Sequence, residues 1–470
     1  MTSYSVEIDY DDDGAFSAVT ADVLALEWRL GMDVPYANIA APISARITLA
    51  NRDRAYSPEH ASAGLLPGKP IRIRSTQGVT TRTHFTGFIE RIEPQTGSLG
   101  ERQAVIIARG PEADLMRQEV ILPLQIDQRA DQVMTAVVNA VRLRYPILNG
   151  FCLIGVAGYN QIGTARLFDG QPLPLSFQMG KSTFTYIADS WFEGLNAWEA
   201  LRQLATAERG RFFINREGQA VFYNRHQTIT DNTTDLTLSD AALDMQYEFG
   251  GTVVNRVRVR VVPRSLGSPA SVLWTSQEAL PLDPGETRVI IASYRDAAQQ
   301  PIGAYNIIPP IAGVDWTANT RADGLGADRT AQATLVLRLA GATAALLEVR
   351  NNTTTRFYIP PGMTLRGTPL LREDPLLIEH SDGTSTALYG VRQAEYDLSL
   401  LSRYDEADQI ARYELARRSS PRGTVRTVTL DGAGVLGLTL FNRVTISDSQ
   451  TEHTADYFIV AEQHMVSAGG

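Results

Sequence analysis

One cysteine, Cys152, stands in 470 residues. No disulfide can form within the chain, so its stability has to come from packed cores. Histidine is sparse as well. The six residues, at 60, 84, 226, 380, 453 and 464, match no metal-ligand spacing. No apolar run approaches the ~18 residues that cross a bilayer, and no membrane span is expected. The first residues, Met1 to Asp9, offer neither a basic head nor an apolar segment, so no secretory leader is expected and the chain reads as made in a cytoplasm. There is no surplus of positive charge. The net charge of −9 argues against a general binder of nucleic acid or anionic membranes.

Chemistry is missing too. No Gly-x-Ser-x-Gly elbow and no His-Glu-x-x-His occurs. Gly432-Ala-Gly-Val-Leu-Gly437 spells a dinucleotide fingerprint, but that motif needs a helix next. Leu438–Val444 reads as a strand, so a glycine-rich turn is expected. Gly180-Lys-Ser182 hints at a phosphate loop, yet Leu175 stands where its leading glycine belongs. Asp9 to Gly14 opens like a calcium loop, but Thr20 occupies the place of the bidentate glutamate; a hairpin turn is expected. Asn351 and Asn352 begin Asn-x-Thr triplets that read as a β-turn. Cys152, in an apolar run, reads as a buried thiol. Trp191, Phe192 and Trp198 read as core. No catalytic residue, cofactor site or metal ligand is assigned.

What is present suits a turn-rich β-protein: 44% hydrophobic residues, 37 glycines and 23 prolines. At about 100–200 residues per domain, several domains are expected. The pattern predicts a mainly β fold with α+β segments. Residues 1–118 read as one β-domain. In it Ala45, Ile47 and Leu49 alternate with Arg46 and Thr48, and Ile71 and Ile73 with Arg72 and Arg74, the period of a half-buried strand. Residues 119–240 read as a middle α+β domain. One helix is predicted from Asp131, as N-cap, until Pro146 bars it; a second follows the cap Asn196, with Glu199 at the capping-box position and Gly210 as its end. A hairpin follows over 211–223. Residues 241–264 and 376–470 read as a second β-domain. It holds the alternating strand at 253–261, a helix over 405–417 and strands at 425–430, 438–446 and 457–461. Residues 265–375 read as an inserted, sandwich-like β segment. Arg443–Ile446 followed by Tyr457–Glu462 echoes Pro70–Ile73 followed by Phe85–Glu90, as duplication or chance would equally leave.

Several stretches resemble phage tail hub or baseplate hub proteins, the minor tail proteins of long-tailed phages and related contractile injection systems. They are Val6-Glu-Ile-Asp9, Leu26-Glu-Trp-Arg-Leu-Gly31, Ala45 to Pro58, Leu66-Pro-Gly68 to Ile73, and Phe85-Thr-Gly87 to Glu90. Trp198–Tyr223, Val254-Asn-Arg-Val257, Leu365-Arg-Gly367, Tyr389-Gly390 and Tyr457-Phe-Ile459 resemble their later parts. The resemblance implies two tail-tube-like β-barrels per chain and a structural, non-enzymatic virion protein of the tail tip or baseplate. It implies a homotrimer whose six barrels match a sixfold tail tube or distal tail protein ring above and a threefold tip or spike below. A tape measure protein and DNA or effector passing through the lumen complete the implied partners. It also implies that the loop bearing Asn51, Arg52, Asp53, Tyr56, Pro58 and Leu65 contacts the neighbouring ring. Two other readings stay open: a receptor- or glycan-binding tail protein using 265–375, with Trp274 and Trp316, and a hub-fused wall hydrolase, which the absence of a further domain disfavours.

Overall fold

The computed structural model describes residues 2–11, 13–60, 64–97, 102–140, 175–191, 195–240, 242–430 and 433–467. Asp12, Val141, Pro146, Cys152, Phe192 and Gly432 lie outside them.

The alternating segments become one antiparallel sheet of eight strands. Its order is Ser17–Ala18, Thr2–Ile8, Pro70–Gln77, Thr80–Gln95, Gln103–Arg109, Ala41–Ala50, Val23–Gly31 and Ala461–Ser467. Val6, Ile8, Ile47, Leu49, Ile71, Ile73 and Phe85 are sealed from solvent, so the apolar face of the period-2 pattern is the inner one. Gly31 shows why one position must be glycine. Its φ is 108°, and a Cβ there would meet the Val460 carbonyl oxygen at 2.3 Å.

The expected barrels are not closed. Closure needs the first and last strands to bond each other. Here the edge of Val23–Gly31 is taken by Ala461–Ser467, with Ala25 opposite Ser467 and Gly31 opposite Ala461. The opposite edge is a two-residue strand, too short to complete a ladder. The second β region is divided further. Leu236–Ser239, Arg443–Asp448 and His453–Phe458 form one small sheet, and Ala242–Phe249 pairs with Gly423–Leu430 in another. Arg256–Val261 lies between Leu376–Ser381 and Gln393–Asp397 in a third. Its Val257, Val259 and Val261 are fully buried, as the alternation predicts.

The stretch predicted as a strand from Leu438 begins pairing only at Arg443. Phe441 has φ 65°, a left-handed backbone that breaks a strand, and its ring packs 5.1 Å from Phe213 and 5.4 Å from Tyr223. Burial of the ring outweighs the local extended preference.

The middle region follows its local signals closely. Asn196 caps helix Ala197–Glu208 by accepting the Glu199 N–H at 2.8 Å. Glu199 itself turns to Arg202 instead of closing a capping box. Arg209, not Gly210, takes the left-handed turn at the helix end, with φ 57°. Gly210 is needed for closeness: a Cβ would lie 2.6 Å from the Tyr223 carbonyl oxygen. Helix Ala130–Ala140 starts one residue before the expected cap, and the Asp131 carboxylate instead accepts the Gly180 N–H at 2.8 Å. Helix Tyr404–Arg418 buries Ala407, Ile410 and Ala411.

Between these parts, strands from Ser271–Thr275 to Thr364–Arg372 pack around their own apolar cluster, which includes Leu273, Tyr294, Leu347, Phe357 and Leu365. The main cluster runs from the first sheet through the middle helices to Tyr404–Arg418.

Candidate assembly surface

The loop between Ala41–Ala50 and Pro70–Gln77 is pinned, not free-standing. Asn51 is buried; its Oδ1 accepts the Tyr56 N–H at 3.0 Å and its Nδ2 donates to Ser57 Oγ at 3.0 Å. Tyr56 is buried too, and its hydroxyl donates to Asp22 Oδ2 at 2.5 Å. Burial, that bond and the Asp22 charge push the Tyr56 pKa well above its usual value. Leu65 is sealed into the main core. Three of the six residues expected to make contacts are therefore anchors. Arg52 and Asp53 are exposed and Pro58 is half-buried, so the surface this loop offers begins at Arg52. The Asn-x-x-x-x-Tyr spacing carried the anchoring signal, but a tyrosine in a polar loop reads equally well as a contact.

The near-miss motifs have structural employment. The Asp9 carboxylate accepts backbone N–H groups from Asp11, Asp13 and Gly14, the last at 2.8 Å, which builds the turn before Ser17–Ala18. The Gly180-Lys-Ser182 loop does cradle an anion, but an internal one. Lys181 and Ser182 N–H groups donate to the Glu208 carboxylate at 2.9 and 2.6 Å. Asn351 is fully buried and donates to the Leu282 and Thr355 carbonyls. Within residues 265–375 Trp316 is buried and Trp274 half-buried, so they do not form an exposed aromatic platform.

A buried junction was not foreseen. It lies where the small sheets meet the first sheet. Arg216, on the turn between Arg211–Ile214 and Ala220–Tyr223, donates through Nε to Glu462 Oε1 at 2.7 Å and through Nη1 to the Leu436 carbonyl at 3.0 Å. Its Nη2 makes a further bond to Glu462. Burial alone would raise Glu462, but the bonds from Arg216 and His464 hold it below the usual range. Next to this pair Trp28 and His464 stack at 4.7 Å, and His84 bonds Ser75 Oγ at 2.7 Å. Burial, together with the Arg216 and His464 charges, pushes His84 down to about 4. This knot ties the C-terminal strand to the first sheet. Its residues are 246 and 436 positions apart in the pairs Arg216–Glu462 and Glu27–Gln463, beyond any local sequence signal.

Beyond the knot the small sheets are thinly covered. Leu238, Val444 and Ile446 are the buried members of their cluster among the described residues. Phe249 is 68% exposed and Met465, on the edge strand Ala461–Ser467, is 72% exposed.

No protein-family model and no curated protein matches the sequence. Solved structures do. A 43 kDa tail protein of prophage MuSo2 from Shewanella oneidensis superposes with a TM-score of 0.51 at 10% identity, covering 100% of this chain and 96% of that one. A tail protein from Neisseria meningitidis MC58 gives 0.46 at 10% identity, covering 99% and 93%. Prophage tail protein gp18 from Listeria monocytogenes EGD-e gives 0.44 at 9%, covering 98% and 90%. The chain shares the fold of a phage tail protein over its whole length.

Proposed function

We propose that the chain is a structural protein of a phage tail, acting as a trimeric hub between the sixfold tail tube and a threefold tip or spike. The observation that carries this is the end-to-end fold shared with the Shewanella prophage tail protein. The thin cover of the small sheets supports it. Among the described residues this cluster has three buried apolar members, the rest being only half-buried, and two-stranded sheets are marginal in water. In a ring, a neighbouring copy would cover the exposed Phe249 face and the Ala461–Ser467 edge. The net charge of −9 suits a lumen through which DNA passes without adhering. The exposed part of the loop after Asn51, with Arg52 and Asp53, is the proposed contact to the next ring.

Mass measurement in solution tests the trimer; a chain that stays monomeric at all concentrations, and never forms threefold rings with its neighbours in particles, overturns the reading. The loop is tested apart from folding. Removing the segment after Arg52 wholesale would also remove buried Tyr56. The pair Arg52→Glu with Asp53→Arg should leave the melting temperature unchanged and stop addition to the tube. Normal tube joining would reduce the loop to mere surface.

A further inference from the structure

The strands from Ser271–Thr275 to Thr364–Arg372 enclose their own apolar cluster; of this region's buried residues only Ala342 and Leu370 join the main one. The region meets the rest of the chain on a short seat, Ala188 to Trp191. Asp189 is fully buried there and takes two guanidiniums from the root of the strands. Arg264 Nε donates to its Oδ2 at 2.8 Å, and Arg372 Nη2 to the same oxygen at 3.1 Å. Arg264 also donates to the Ser399 carbonyl at 2.7 Å, which ties it to the body. Arg372 bonds only Asp189 among the described residues, so it is the partner free to part. Farther along, Thr343 Oγ1 donates to the Trp191 carbonyl at 3.4 Å and the Ala342 N–H to the Leu122 carbonyl at 2.7 Å.

The seat is costly to hold. Ala188 is buried with φ 81°, a left-handed backbone that residues other than glycine adopt under strain. Asp189 Oδ1 and Ser190 Oγ are shut off from solvent and have no hydrogen-bond partner among the described residues. Unfavourable features in consecutive residues mark a place where surrounding contacts impose the geometry. A joint fixed once, at folding, gains nothing from them.

We infer that residues 265–371 form a module docked reversibly on this seat, with the Asp189–Arg372 pair as its latch and Ala188 as its stored strain. Parting of the latch lets the module swing on its two crossings, at 262–264 and 372–374, while both cores stay intact. Only Ala342 and Leu370 have to leave the main cluster. The device is independent of the assembly proposed above.

Hydrogen exchange of the full chain, read by mass spectrometry, tests it. The Ala342 N–H crosses the seam, so its exchange reports undocking; amides of Ala344–Asn351 report the module's own core. The seam should exchange well before that core. Arg372→Gln should speed the seam about tenfold, the effect of losing a hydrogen bond to a buried charge, and leave the core unmoved. Ala188→Gly should slow the seam about fivefold or more, because glycine holds a left-handed backbone without strain. Should Arg372→Gln fail to fold, Ala188→Gly alone decides. A seam as slow as the core, or one that either folded variant leaves unchanged, overturns the device and makes the seat a fixed joint.

Discussion

Two antiparallel hairpins are built alike and covered differently. Pro70–Gln77 with Thr80–Gln95 places Ile73 opposite Phe85; Arg443–Asp448 with His453–Phe458 places Val444 opposite Tyr457. Each has an inward alternation of apolar residues. In the first, the return strand runs on for 16 residues through register shifts at Ile73/Arg74 and Ile89/Arg91, and stays in one sheet. In the second, the return strand stops at Phe458 and resumes at Ala461 in the first sheet, beside Val23–Gly31. The first hairpin is covered by the main core. The second is left with Val444 and Ile446 over a half-buried ring of Leu236, Met245 and Val425. A strand's alternation states which face is apolar. It does not state how much lies against that face.

The comparison can be broken most forcefully at the knot that joins the two regions. Arg216→Ala leaves the buried Glu462 with only its 3.5 Å contact to His464, and should cost about 3 kcal/mol in denaturant unfolding. A loss under about 1 kcal/mol would mean the C-terminal strand is not held as described.

The same truncation in both hairpin environments sharpens it. Ile47→Ala in the first sheet should fall in the upper part of the ~2–5 kcal/mol range for such deletions, and Ile446→Ala at its lower end or beneath. If assembly covers the small sheets, the Ile446 variant should become the costlier one for ring formation, read by mass measurement. Equal unfolding costs would erase the distinction.

pH should act mainly on the first region. Burial pushes Glu112 up to about 7 from its ordinary 4.5, and its Oε2 has no hydrogen-bond partner. Its contribution is fully present below about 4.5 and lost as pH rises through about 7. His84 works in the opposite sense. Its contribution is present above its ordinary 6.5 and lost as pH falls through about 4. Melting curves across pH 3 to 9 should therefore dome, with Glu112→Gln flattening the alkaline limb and His84→Asn the acid limb. Unaltered limbs in these variants would reassign the dependence.

The smallest effect is expected at the loop anchor. Tyr56→Phe removes the bond to Asp22 and should cost about 1 kcal/mol in thermal unfolding. A neutral result would mean that the bond to Asp22 does not help hold the loop, leaving Asn51, Leu65 and the buried ring as its anchors.

Much of the fold was legible where the signal is local. The alternations at 45–49 and 257–261, the Asn196 cap and the 211–223 hairpin are decided within a few residues, and they stand. The failures share a cause. Barrel closure, the destination of Ala461–Ser467 and the inward turn of Tyr56 depend on partners tens or hundreds of residues away. Phe441 is the clearest case. Its neighbours favour extension, but a ring cluster with Phe213 and Tyr223 forces a left-handed backbone. Of the assembly loop, the sequence revealed its place and length but not which half is anchor.

By itself the sequence determined a mainly β chain without internal disulfides, its apolar strand faces, and the starts of its three longest described helices to within about a turn, because side-chain alternation and capping are properties of neighbouring residues; the shorter helices Glu112–Arg117, Gln227–Thr230 and Gly383–Tyr389 it did not show. Tertiary structure alone decided which strand edge meets which, how thickly each apolar face is covered, and that Arg216 would meet Glu462. Those outcomes are set by burial and charge among groups far apart in the chain, whose free energies no local pattern encodes.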